Sequence, residues 1–512
     1  MKFRQLSLLS LVLALVLISG CTTGSGGSQS NPPPPSANAL DGQYAFVLSG
    51  FDATGNPLGV AGSITADGHG NITGGSVDVN DNQVISSSSG ALAGTYTLDS
   101  NFRGVVTLTN AVGSVTHPLA FAFTLKADGT AGNMIGIDTN GFIISGTMQR
   151  QDATAFSFSK LAGHFAFEFD ANATGRFVVV GRFTLGQNGM STNGFADFSL
   201  AGTGPTATNE SLSFTFAAAG PNANGRGMLS STDPGGTASF VYYVVSAGEI
   251  QVLRTDAAAL TGVASKQSMP FTATTVNTNM GAAVFGLTGV DVTAGNDTAA
   301  VGLLQVTNMT GGVLDWDSND AGTIVGPTSS ANLVVTFDPS TGRGTITVSN
   351  GSANGLFDNA VFYLLDSGKG FILDATTGAS NRALAGSFRR QTGGGSFGLS
   401  TLSNNMIVRS GGTSRADAGT LDGVFSVGSN NTYVLTLDSR VPGLADVVNQ
   451  TASGIQISSI DSTTGRGKVT IPGPTFNLSE VIYFVGPNQF VFMDMTPPPN
   501  NSAAPIVFFD PQ

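Results

Sequence analysis

The chain has 512 residues and a formal charge of −12 with only 11% charged side chains, so it lacks the basic footprint that nucleic acid or an anionic lipid surface would require. Its 69 glycines, and 34 phenylalanines against one tryptophan, suit short strands joined by tight turns. With 41% apolar residues in period-two alternation, and no window after residue 20 with the period of an amphipathic helix, the chain excludes both disorder and an α-helical fold.

Residues 1–20 form a secretion signal: Lys2 and Arg4 precede an apolar stretch from Leu6 to Ile18 that is too short to span a bilayer. Ile18-Ser19-Gly20-Cys21 resembles the lipobox of bacterial lipoproteins. That resemblance implies cleavage after Gly20 and lipidation of Cys21, the only cysteine in the chain. A multiply acylated cysteine is a durable anchor, whereas one acyl chain is not. Loss of Lys2 and Arg4 with the signal moves the formal charge from −12 to −14. Residues 21–38 comprise the lipidated cysteine and a tether, flexible through Gly and Ser and then stiffened by Pro32 to Pro35. At ~3.3 Å per residue, the stretch from Thr22 to Asn38 reaches at most about 56 Å from the membrane. Thr22 stands where aspartate would signal inner-membrane retention in enterobacterial lipoproteins, which favours the outer membrane or cell surface.

Four tandem repeats follow, at 39–151, 158–267, 277–391 and 396–512. A Gly-Arg-Gly turn recurs around Arg226, Arg343 and Arg466, with a degenerate copy, Phe102-Arg103-Gly104. Apolar residues fall three and five positions after each arginine, except that Ser231 breaks the pattern in the second copy. A late-strand aspartate recurs at Asp138, Asp256, Asp374 and Asp494, and the copies end on Gln151, Gln267, Gln391 and Gln512. Gly-x-x-Asp keeps the same register at Asp78, Asp197 and Asp315, with no fourth copy evident.

In the third repeat the pattern predicts eight strands with cores at 284–289, 300–306, 312–317, 333–337, 344–349, 360–366, 370–374 and 384–391, and a short extra strand near 323–325. Short polar connections make neighbours antiparallel. The expected fold is all-β, with four antiparallel meander repeats, each a small eight-stranded barrel; a β-sandwich per repeat is the alternative. No helix is expected beyond the signal segment.

The segments Leu40-Asp41-Gly42-Gln43-Tyr44-Ala45-Phe46 and Ala66-Asp67-Gly68-His69-Gly70-Asn71-Ile72-Thr73-Gly74-Gly75, with the repeated Gly-Arg-Gly, resemble uncharacterised tandem-repeat lipoproteins of the acidobacterial type. The likeness covers most of the mature chain and is clearest in the first repeat. It implies a location at the cell surface and brings no assigned activity.

No catalytic, cofactor-binding or metal-binding set can be assigned. His69, His117 and His164 do not recur between repeats, and Glu168, Glu210, Glu249 and Glu480 are the only glutamates. The run Asp315-Trp316-Asp317-Ser318-Asn319-Asp320 alternates oxygen ligands but lacks the glycine and glutamate of a calcium loop, so it reads as a polar hairpin. Arg103, Arg226, Arg343 and Arg466 read as turn chemistry, with Asp99, Asp338 and Asp461 capping loop amides. Their recurrence with the late aspartates suggests an Arg–Asp bridge across one mouth of each barrel, Arg343 with Asp374.

The function expected first is a surface interaction or structural module with a protein or polysaccharide partner, membrane-bound through Cys21 and without nucleic acid. A carrier of a small apolar ligand inside one or more barrels comes second, and a carbohydrate-active enzyme third. An apolar cavity of a few hundred cubic ångströms would promote the carrier; a concave cluster of perturbed carboxylates would promote the enzyme.

Overall fold

The computed structural model describes residues 40–512 apart from 89–91, 110–111, 113–114, 116–117, 173–175, 273–281, 293–294, 309–310, 331, 367, 378–381, 394–395, 412–418, 429–431, 442–445, 473–477 and 497–505. Cys21, the signal segment and the tether lie outside the described residues.

Each repeat is one antiparallel meander whose last strand returns to pair with its first: Phe46 opposite Met148, Phe167 opposite Ala264, Phe285 opposite Phe388 and Val408 opposite Phe509. The first and fourth repeats close into eight-stranded barrels, the first carrying the extra hairpin strand Val84–Ser87. The second and third have the same strand order but stay open at one seam. In the second, the seam between Ser191–Leu200 and Ser213–Phe216 is held by the single bridge Met190–Thr215 and by the bonds from Leu212 N–H to Gly194 O and from Phe214 N–H to Ser191 Oγ. All eight strands expected in the third repeat are present, and the extra one is Thr323–Ser330. The four repeats are therefore barrels, not sandwiches. Helix, among the described residues, is confined to one turn at Phe158–Leu161 and short 3-10 turns, a small departure from the expected absence.

Alternation puts Tyr44, Phe46 and Leu48 inside the first barrel while Ala45 and Val47 face out. A phenylalanine on the first strand lies across a glycine on the second: a Cβ on Gly62, Gly181 or Gly302 would sit 2.5–2.7 Å from the ring of Phe46, Phe167 or Phe285. Ring over glycine is how these narrow interiors pack densely, and it accounts for part of the glycine content.

The outward residues are not solvent-facing, because the barrels pack side by side. Ala45, Val47 and Ala61 meet Val241, Tyr243 and Leu253 of the second barrel. Val178 and Val180 meet Val361, Tyr363 and Leu373 of the third, and Val301 and Leu303 meet Val481, Tyr483 and Met493 of the fourth. Strands at these joints are buried on both faces, so they read as continuous apolar runs.

The recurring arginines act here, and the expected bridge to the late aspartates is wrong. Arg343 does not reach Asp374; it crosses to the second barrel and grips Asp197, Nε to Oδ2 at 2.9 Å and Nη2 to Oδ1 at 2.7 Å. Arg226 grips Asp78 at 2.8 and 2.8 Å, and Arg466 grips Asp317 at 2.7 and 2.6 Å. In each case the tyrosine beside the arginine, Tyr243, Tyr363 or Tyr483, donates its hydroxyl to the same carboxylate at 2.6–2.7 Å. The three carboxylates are at most 1% exposed. The late aspartates serve turns instead: Asp138, Asp374 and Asp494 accept the N–H two residues on, and Asp256 pairs with Arg254. The third Gly-x-x-Asp mark also shifts, from Asp315 to Asp317. The capping roles of Asp99, Asp338 and Asp461 are as expected, with Asn222 filling in for the second copy.

The repeat-ending glutamines lock the same joints. Gln151 donates to Asn224 O and Val244 O, Gln267 to Thr341 O and Leu364 O, and Gln391 to Thr464 O and Phe484 O. The first glycine of each Gly-Arg-Gly, with φ of 72–75°, leaves room for that amide and for a linker phenylalanine, Phe156, Phe271 or Phe397, which plugs the barrel end.

The series closes on itself. Gln512 donates to Asn101 O at 2.7 Å, the position two before Arg103, and Arg103 reaches Asp438 of the fourth barrel at 2.7 Å. Asp438 is thus the fourth copy of the mark that is hidden in the sequence. The barrels form a ring in which each packs on the next and the fourth packs on the first. This last seam is polar where the other three are apolar: Thr124 replaces the tyrosine, and its hydroxyl donates to Asp422, a fully buried carboxyl directly across from Asp438.

Removing one partner of a buried pair strands the other without compensation. Asp197→Ala should therefore lower the stability of the chain by about 3–5 kcal/mol, whereas Tyr363→Phe, which removes one of several donors, should cost about 1 kcal/mol. Asp374→Asn should cost no more than Tyr363→Phe. Urea unfolding of the three variants checks the order.

Candidate functional site

Space inside the barrels is unequal. The interior of the fourth is filled by Phe425, Phe490, Phe492 and Phe509 and leaves only about 20 Å3. The second holds a cavity of about 560 Å3, open at the end away from the linker plug. That volume lies in the range of small-molecule sites.

The second barrel has this space because its sequence departs from the repeat. Five positions after the arginine, where the other copies bury Leu108, Val348 and Ile471, it has Ser231. The irregular residue of the pattern lines the cavity. Bulges in the pairing of Ser191–Leu200 with Gly204–Ser211 and the short strand Ser213–Phe216 leave the wall splayed above it. Phenylalanines make the floor and sides: Phe167 and Phe214 lie 5.6 Å apart, centroid to centroid, and Phe169 and Phe240 5.9 Å. Phe177 and Phe198, half-buried and 6.1 Å apart, stand nearer the opening. The polar groups of the lining are few: Thr206, Glu210, Ser231, Asp233, Thr237 and Arg254. The arginine is held by Asp256 at 2.7 Å. This is a greasy cup with a charged rim.

Neither His69 nor His164 joins it. His69 sits in its turn with Nδ1 on Asp67 O, and His117 lies outside the described residues. His164 contacts Thr184 and Arg182, and burial, with the Arg182 charge, pulls its pKa down. Asp317 and Asn319 of the weighed calcium loop are engaged with Arg466, Tyr483 and Asp494 O. Among the described residues, no group of three or more His, Cys, Asp or Glu is placed to hold a metal ion.

Several carboxyls are strongly perturbed by burial, Glu168 up to about 8 among them, and none of these lines the cup. Burial, then the Asp438 charge, holds the Asp422 carboxyl well above the usual range although Thr124 pulls the other way. Burial, then Asp494, does the same to Glu480. Asp374 is pushed up to about 6 by burial. Sequence reasoning missed Asp422, whose only signal is a charge in an otherwise apolar strand, Leu421 to Val427.

These acids keep their protons in the folded chain at pH values where the unfolded chain has released them. Their contribution is present below a pH of about 4, falls as pH rises above it and levels off only past the folded pKa, for Asp374 near 6. Thermal stability should therefore decline from pH 5 to pH 8. Asp422→Asn, which keeps an acceptor for Thr124, should raise the midpoint at pH 8 and change it little at pH 5, as followed by differential scanning fluorimetry.

No protein-family model matches the chain, and no curated protein matches it in sequence. Among solved structures it is similar, at 10% identity and a TM-score of 0.15, to the vaccine antigen transferrin-binding protein B of Haemophilus parasuis in a mutant form, over 96% of this chain and 98% of that one. It is similar to CghA with Sch210972 at 9% identity and a TM-score of 0.14, over 92% and 88%. At such scores the likeness carries no argument about arrangement or role.

Proposed function

We propose that this chain is a lipid-anchored module of the bacterial cell envelope, a ring of barrels whose second member binds a small apolar molecule. The observation that carries the binding role is the phenylalanine-lined cup of about 560 Å3 in one barrel of a ring whose fourth barrel is packed almost solid. A filled barrel is a scaffold; an open one, in the same chain, costs buried apolar area and needs a reason. The reading is of a binder and not a catalyst: the lining of the cup has no histidine or cysteine, and its two carboxylates, Glu210 and Asp233, stand at the rim. Anchorage rests on the junction at Cys21, and display at a surface rests on the tether that follows.

Ser231→Ile restores the residue type of the other repeats and narrows the cup. It should leave the fold intact, raise or preserve the melting temperature, and weaken 1:1 binding of a neutral apolar fluorescent probe such as N-phenylnaphthylamine. Probe binding that is unchanged by Ser231→Ile, or absent from the parent chain, would refute the cup. For the anchor, intact-mass spectrometry of the protein from its native membrane should find a diacyl or triacyl adduct on an N-terminal Cys21, and Cys21→Ser should move the protein out of the membrane fraction.

A further inference from the structure

A β-barrel that carries an apolar molecule most simply takes a fatty acid, whose carboxylate needs a cation at the rim. The rim here has the opposite sign. Glu210, on the strand Gly204–Ser211, and Asp233, at the end of Arg226–Asp233, both border the opening. Among the described residues neither is in an ion pair, and Asp233 accepts a bond only from the Gly235 N–H of its own turn, at 2.6 Å. The rim's one cation, Arg254, is cancelled by Asp256 at 2.7 Å. The opening therefore carries two uncompensated negative charges above a wall of aromatic rings. Phe177 and Phe198 are the first rings below it, and their faces, like those of any benzene ring, attract a cation within about 6 Å of the centroid. The net charge of −12 adds a long-range field of the same sign. An anionic head would meet like charge at the rim with no donor to answer it; a neutral head would gain nothing from it.

We infer that the ligand of this cup, on the reading above that the cup is a binding site, is a cationic amphiphile: an alkyl or aryl amine whose apolar body fills the barrel and whose ammonium rests between Glu210 and Asp233. The charges select the class, and the rings hold the body.

The test compares three ligands with the same ten-carbon chain, each below its micelle threshold, by calorimetry on the full-length chain: decyltrimethylammonium, decanol and decyl sulfate. The cation should bind tighter than decanol by about three- to tenfold, as one or two exposed charge pairs supply, and decyl sulfate should bind weakest. Glu210→Gln with Asp233→Asn should bring the three together, and raised salt should narrow the gap in the parent chain. Equal binding of all three, tighter binding of decanol or decyl sulfate, or a preference that survives the double substitution would overturn the cationic ligand and leave the cup standing. Failure of all three to bind, or binding of the cation that is unchanged by Ser231→Ile, would overturn the cup itself.

Discussion

A carboxylate shut away from water must be met by a cation and by donors for its remaining lone pairs, and that requirement fixes how these barrels sit against one another. Apolar patches such as Val178 and Val180 against Val361 and Leu373 supply area but little direction; they can slide by a residue at small cost. A planar guanidinium seated side-on against Asp197, with Tyr363 on the same oxygen pair, tolerates no such slide. In a chain with so few charges, three of the recurring arginines are used this way at the joints with apolar faces, and the fourth at the polar seam. The pair adds little net stability over a well-packed apolar substitute. Its contribution is orientation.

That orientation lets one barrel be hollow. The second barrel is gripped on both sides, by Arg226 at one joint and through Asp197 at the other, and its far end is plugged by the linker around Phe156 and Phe158. Its neighbours hold its outer faces dry, so the missing interior volume around Ser231 does not collapse. The cup is stabilised from outside the barrel that contains it.

The repeat, the strand order and the barrels were legible in the sequence because they depend on local alternation and on turn residues at a regular spacing. The partners of the arginines were not. Asp78 and Arg226 are 148 residues apart, Asp197 and Arg343 146, and Asp317 and Arg466 149, each longer than one repeat. A search inside the repeat finds Asp374 and stops. Two signals pointed outward: the tyrosine that follows each of the three arginines, and uninterrupted apolar runs such as Phe240 to Val245 and Val481 to Val485, which no barrel with one wet face would carry. Ser231 was visible as a broken pattern, but a single small residue reads as drift until the walls around it are seen.

Every joint is of the head-to-tail kind: the arginine face of one barrel meets the aspartate face of the barrel before it, and no barrel uses one face twice. Such contacts have no symmetry that stops them; they run on as a filament unless the turn per step brings the last unit back to the first. Here the turn per joint does so after four units, so that Gln512 lands on Asn101 as Gln151 lands on Asn224. The number of repeats is thus a property of the joint angle. A chain of three would leave a gap one barrel wide, a chain of five would collide with itself, and in both an unsatisfied arginine face and an unsatisfied aspartate face would be left to find each other on separate molecules.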